Sequence, residues 1–200
     1  MTRILLTGFE PFGGHATNPS AAVVNALASA ASSRGDLVAR VLPTVYAESG
    51  RIVRELIAEH RPGAVLCLGL CARSDAILLE RLAVNLNDDA CGDNAGDCAR
   101  GRVIVPEGPV GYWSTLPLEA MHDALQARGV PMAWSNSAGT YVCNHVFYTA
   151  RHTIEQLGLD ARCGFVHLPQ VVGEGRMSLA ALVDAVRVLV AMLSDDTPER

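Results

Sequence analysis

Three reactive side chains stand at positions that suit nucleophilic catalysis. Cys143 follows the small polar loop Ser135-Asn136-Ser137-Ala138-Gly139-Thr140 and opens a predicted helix. A helix N-terminus favours thiolate over thiol, and its free N–H groups can hold an oxyanion. The competing reading is a buried structural cysteine, the usual fate of a free thiol. His167 lies near the carboxyl end of the apolar run Gly164-Phe165-Val166-His167-Leu168, with Pro169 after it. It is either a general base or a core histidine bonded to a backbone carbonyl. Glu80 lies in the run Ile77–Asn85, where alternation puts it on one face with Leu78, Leu82 and Val84. A carboxylate on an apolar face is costly unless bonded or paired. It either orients an imidazole, as the third group of a triad does, or pairs with an arginine. His145, two residues after Cys143, points away from it on a helix and is the poorer base.

Other chemistries are excluded by composition. The chain holds 16 basic residues and all are arginine. Without lysine there is no Schiff base, no Ser–Lys dyad and no phosphate-loop lysine. Net charge −5 argues against nucleic-acid binding, which usually needs a basic face. The loop Gly8-Phe9-Glu10-Pro11-Phe12-Gly13-Gly14 has neither the GxGxxG nor the GxxxxGK spacing. Its Phe9 and Phe12 suggest an apolar pocket wall, or a hydrophobic plug under the sheet edge. The six cysteines (Cys67, Cys71, Cys91, Cys98, Cys143 and Cys163) lack zinc-site spacing, so no metal is expected. Met1-Thr2-Arg3 runs straight into Ile4-Leu5-Leu6, with no leader and no run of membrane-spanning length. A cytoplasmic protein with free thiols and no membrane association is expected.

The elements that must position these groups alternate between strand and helix. Strands are predicted at Arg3–Thr7, Leu37–Leu42, Ala64–Gly69, Ala76–Asn87, Val130–Ser135 and Arg162–Leu168. The first helix starts at Pro19, capped by Asn18, and Gly35 ends it. A second is marked by Ile52, Val53, Leu56 and Ile57. Others follow over Leu116–Arg128, Cys143–Leu157 and Ser178–Leu193, with a polar tail at Asp195–Arg200. The pattern predicts one α/β domain over residues 1–200, a three-layer α/β/α sandwich around an open, mostly parallel sheet. Residues 88–101, rich in Gly and Asp with little to pack, read as a mobile surface loop. Such sheets place their sites outside the carboxyl ends of the strands, where Glu80, Cys143 and His167 all fall.

The motifs resemble those of the type I pyroglutamyl peptidases (pyrrolidone-carboxylate peptidases). The similarity runs through Leu6–Gly14, Asn18-Pro19-Ser20, Leu79–Asn85, Ser135–His145 and Phe165–Pro169, in order along the chain. Gly108-Pro109 and Ser114–Pro117 fit as well. The resemblance implies a cysteine exopeptidase that removes N-terminal pyroglutamate (5-oxoproline) from peptides. It implies a Cys143 nucleophile, a His167 acid/base and a Glu80 orienting group, with a thioacyl intermediate. It further implies a homotetramer, no cofactor, and a pocket in which Phe9 and Phe12 sandwich the lactam beside the backbone of Tyr141 and Val142.

Three positions depart from the family pattern. Leu70 stands where a glutamine near the substrate is expected, Ser74 where an arginine is, and Ala90 where a second arginine is. Arg73 and Arg100 are their cationic neighbours in sequence. Leu70 and Ala90 motivate an alternative, a weakly active or non-catalytic paralogue that binds pyroglutamyl-type peptides. A phosphorylase-type transferase on a similar sheet ranks last, because no basic phosphate cradle is apparent.

Overall fold

A computed structural model describes residues 2–30, 36–171 and 177–194. The expected helix stop at Gly35 and the tail at 195–200 lie outside the described residues. The described residues form eight strands: β1 Ile4–Phe9, β2 Leu37–Leu42, β3 Ala64–Leu70, β4 Ile77–Glu80, β5 Leu82–Val84, β6 Gly111–Trp113, β7 Met132–Ser135 and β8 Arg162–Leu168. Among the described residues five helices accompany them: α1 Pro19–Ala30, α2 Tyr46–His60, α3 Leu118–Gln126, α4 Val142–Gln156 and α5 Leu179–Ser194. The main sheet has the order β2-β1-β3-β8-β4-β7, and every neighbouring pair is parallel except β4 with β8.

Strand alternation divides the core into two layers. Ile4, Leu6, Leu66, Leu68, Val166 and Leu168 face α1, α3 and α5. Leu5, Val65, Cys67, Cys163 and Phe165 face α2 and α4. Both faces are covered, so β3 is buried along its whole length and β8 from Cys163 onward, as their largely apolar sequences require. The expected three-layer sandwich is therefore the observed one. Asn18 starts α1 as anticipated: its Oδ1 accepts the Ser20 N–H at 3.0 Å.

The strand expected over Ala76–Asn87 is instead two. β4 stays in the main sheet, and at Arg81 the chain leaves it. β5 then pairs antiparallel with β6, which the sequence reading did not identify as a strand. Asn144 of α4 fixes the departure. It is wholly buried; its Oδ1 accepts the Val84 N–H, and its Nδ2 donates to the Val84 and Leu86 carbonyls. Glu80 thus shares its sheet face with Leu78 but not with Leu82 and Val84, which belong to the second sheet.

Residues 88–101 have anchors that the sequence reading missed, because they are polar. Asp93 is 6% exposed, with Oδ2 accepting the Tyr46 N–H and Oδ1 those of Ala95 and Asp97. It caps α2 from a distance, where the residue before the helix, Val45, offers no side-chain cap. Asn94 donates to the Thr44 carbonyl from its backbone and to the Pro11 carbonyl from its side chain. Ala99 is fully buried.

Candidate active site

Glu80 and His167 reach each other by sheet register. Glu80 pairs with Phe165 across the antiparallel β4–β8 contact, and Leu78 pairs with His167. Glu80 and His167 are therefore diagonal neighbours on the face that carries α4. His167 Nδ1 donates to Glu80 Oε1 at 2.7 Å, with the carboxylate 1% and the histidine 7% exposed. That bond leaves Nε2 as the ring nitrogen not engaged by Glu80, and Cys143 is near enough for its side chain to raise the imidazole's pKa. Burial pulls the His167 pKa down. The hydrogen bonds to Cys143 and Glu80, and the charges of both, outweigh it and raise the value from 6.5 to about 10. Glu80 Oε2 has no hydrogen-bond partner among the described residues, so the carboxylate depends on this one imidazole.

Cys143 sits one residue inside α4, at 7% exposure. Tyr141 precedes the helix without a side-chain cap, and the first turn closes with His145 N–H donating to the Tyr141 carbonyl. The N–H groups of Val142, Cys143 and Asn144 thus have no partner within the helix. They form a positive end beside the thiol. Gly69 of β3 lies in register with His167. A Cβ there would come 2.9 Å from Cys143 Sγ and 2.7 Å from Phe165 Cζ, so the thiol occupies room that only glycine leaves. His145 is turned elsewhere, its Nδ1 3.1 Å from Asn87 Nδ2. Burial first, then the charges of Arg54 and Arg102, lower its pKa to about 4.

These groups open into a cleft of about 430 Å³ lined in part by Phe12, Leu70, Leu78, Glu80, Tyr141, Cys143 and His167. Phe12 and Tyr141 meet with ring centroids 5.6 Å apart. Phe9 is not at this wall. It is 1% exposed and packs on Phe165 in the core, the plug of the two readings its loop allowed. Its place on a central strand, pointing toward α2 and α4, puts it under the cleft rather than in it. The Val142 side chain is fully buried, leaving its backbone as the part at the helix start. Of the three departures only Leu70 lines the cleft. Ser74 is engaged in its own turn with the Ala76 N–H and carbonyl. Neither Ala90, Arg73 nor Arg100 lines it. Asp89, Cys91, Gly92 and Ser135 do, and the sequence reading assigned none of them to the site. Ser135 ends β7 beside Glu80, so the carboxyl-end rule could have found it. Among the described residues, no group of three or more His, Cys, Asp or Glu could hold a metal ion.

A thiol at a helix start, an imidazole on it and a buried carboxylate behind the imidazole define a cysteine hydrolase of the α/β class. The family model described as "Pyroglutamyl peptidase" matches residues 2–195, and the chain belongs to that family. It is 34% identical to a pyrrolidone-carboxylate peptidase of Bacillus mycoides, over 98% of this chain and 94% of that protein. It is 43% identical to pyrrolidone-carboxylate peptidase 1 of Ralstonia nicotianae, over 84% and 79%. The crystal structure of Bacillus amyloliquefaciens pyroglutamyl peptidase I superposes with a TM-score of 0.89 at 34% identity, covering 98% of each chain. A mutant pyrrolidone carboxyl peptidase from Pyrococcus furiosus also gives 0.89, over 96% of this chain and 98% of that one.

Two outcomes follow from this geometry. Gly69→Ala should lower kcat by roughly tenfold or more while costing about 1–3 kcal/mol of stability, because Sγ and the Phe165 ring must both move; unchanged kcat would contradict the packing. The His167 ring should titrate near pH 10 by nitrogen NMR, and Glu80→Gln should move that midpoint down. Its folded pKa is raised, so the pair's contribution to stability is full below about 6.5 and is lost as pH rises through about 10.

Proposed function

We propose that this protein is a cysteine exopeptidase that hydrolyses N-terminal pyroglutamate from peptides. The observation that carries this reading is Cys143 at the start of α4, beside an imidazole that Glu80 holds through its Nδ1. Family membership supports the substrate. So does the cleft wall of Phe12, Leu70, Leu78 and Tyr141, against which a neutral lactam costs little to desolvate. An ordinary N-terminus would bring an ammonium there and be rejected.

The Cys143 thiolate attacks the carbonyl carbon of the pyroglutamyl residue, and the carbonyl electron pair moves onto oxygen. The free N–H groups of the first turn of α4 receive the oxyanion. As it collapses, His167 gives its Nε2 proton to the leaving nitrogen and the C–N bond breaks. The thioacyl group remains on Cys143. Water then gives a proton to His167 and attacks the thioester, releasing 5-oxoproline and restoring the thiolate. Glu80 acts through the imidazole, holding its tautomer and its charge.

No helix among the described residues is long and apolar enough to cross a membrane. We read the protein as a cytoplasmic homotetramer. Its six free cysteines support the location. The exposed Val110 and Trp113, 91% and 67% accessible at and before β6, support an assembly surface. Sedimentation velocity giving four chains per particle, and cell fractionation, check the two parts.

Purified protein should release amine from a pyroglutamyl amide and leave proline and glutamine amides intact. Cys143→Ala should reduce kcat by about 10³-fold or more. Equal rates in the two proteins would refute the mechanism. Binding of the amide without turnover, unchanged by thiol blocking, would favour the non-catalytic reading that Leu70 motivates.

A further inference from the structure

Asp89 brings a charge into the cleft that the mechanism does not use. Two carboxylates line the cleft, Glu80 and Asp89. Glu80 is neutralised by His167. Asp89 is not neutralised: among the described residues it joins no ion pair, and its one side-chain bond is Oδ1 accepting the Cys91 N–H at 2.8 Å. No arginine lines the cleft, and the chain has no lysine. Arg102, on the following stretch, is spent on Asp97 at 2.7 Å.

The backbone holds Asp89 in place. Its N–H donates to the Ala99 carbonyl at 2.7 Å. Asp88 beside it exchanges bonds with Thr140, the N–H donating to the Thr140 carbonyl and its own carbonyl accepting from Thr140 Oγ1 at 2.7 Å. This ties Asp89 to the loop that leads into Cys143. Its charge reaches the cleft wall: burial first, then Asp93 and Asp89, raise the Tyr141 phenol to about 12. Asp89 is partly exposed, whereas Glu80 is 1% exposed, which puts Asp89 nearer the mouth.

Given the exopeptidase reading, on which this step rests, the charge points outward along the substrate. A pyroglutamyl residue carries no cation. A positive group able to face Asp89 must belong to the part of the peptide that leaves. We propose that Asp89 is a specificity-determining residue that favours peptides with a cationic residue after the pyroglutamate and disfavours those with an anionic one.

The test compares kcat/KM for pyroglutamyl-arginyl, pyroglutamyl-alanyl and pyroglutamyl-glutamyl amides in wild type, Asp89→Asn and Asp89→Arg. Within each protein the ratio of the arginyl to the glutamyl substrate is read, so a partial loss of folded enzyme cancels. Wild type should prefer the arginyl substrate by roughly tenfold. The ratio should fall toward one in Asp89→Asn, invert in Asp89→Arg, and shrink as salt is raised to roughly 0.5 M. A wild-type ratio near one, or a ratio that both variants and salt leave unchanged, overturns the proposal. The alanyl substrate separates the two ideas. Without its Cys143-dependent turnover the exopeptidase reading fails and the preference with it; with that turnover and a flat charge ratio, only the preference fails.

Discussion

The site depends on one buried ion pair. Glu80 and His167 sit under the cleft at 1% and 7% exposure, joined by a single 2.7 Å bond. Neither charge is tolerable there alone: removing one partner from such a pair costs about 3–5 kcal/mol, because the other stays buried and unpaired. The sheet is built to keep the two together. In an otherwise parallel arrangement, β4 alone meets its neighbour β8 antiparallel, and that contact makes Glu80 and His167 diagonal neighbours. β3 then supplies Gly69 in register with His167, leaving the space into which α4 lowers Cys143. The thiol thus lies beside an imidazole that a carboxylate holds.

Much of this was legible in the sequence, for definite reasons. β2 and β8 run between the residues that the apolar runs mark, β8 because a strand covered on both faces is mostly apolar and β2 because its apolar residues pack on the sheet from an edge. α1 begins at Pro19 because Asn18 and proline both signal a start. The carboxyl-end rule brought Glu80, Cys143 and His167 into one region, and the structure brings them together. What alternation could not show was a change of sheet. Ile77–Val84 alternates through Arg81 whether the chain stays or leaves. The deciding contact is Asn144, 60 residues away, bonding the backbone at Val84. The segment 88–101 hid its anchors for a related reason. Hydrophobic patterning finds apolar anchors, whereas Asp93 holds this one by capping a helix whose own first residues offer no cap. Phe9 shows the limit in the other direction: its residue type suited a pocket wall, but strand parity sent it into the core.

The departures from the family pattern bear on activity differently once they are placed. Ser74 serves its own turn, and Ala90 lies off the cleft lining; only Leu70 reaches it. With no arginine or lysine on that lining, the mechanism proposed above gives charge developing on the carbonyl oxygen two sources of stabilisation. One is the set of unpaired N–H groups at the start of α4, and the other is the His167 imidazolium. Neither depends on the side chains at 70, 74 or 90. The N–H groups are fixed by where the helix begins, and the imidazolium by Glu80. Leu70 adds an apolar side chain to that wall, and such dipoles act more strongly where water is excluded. The departure at Leu70 therefore alters the cleft wall, while the proposed sources of oxyanion stabilisation do not run through positions 70, 74 or 90. That combination favours a working peptidase with altered recognition over one that only binds.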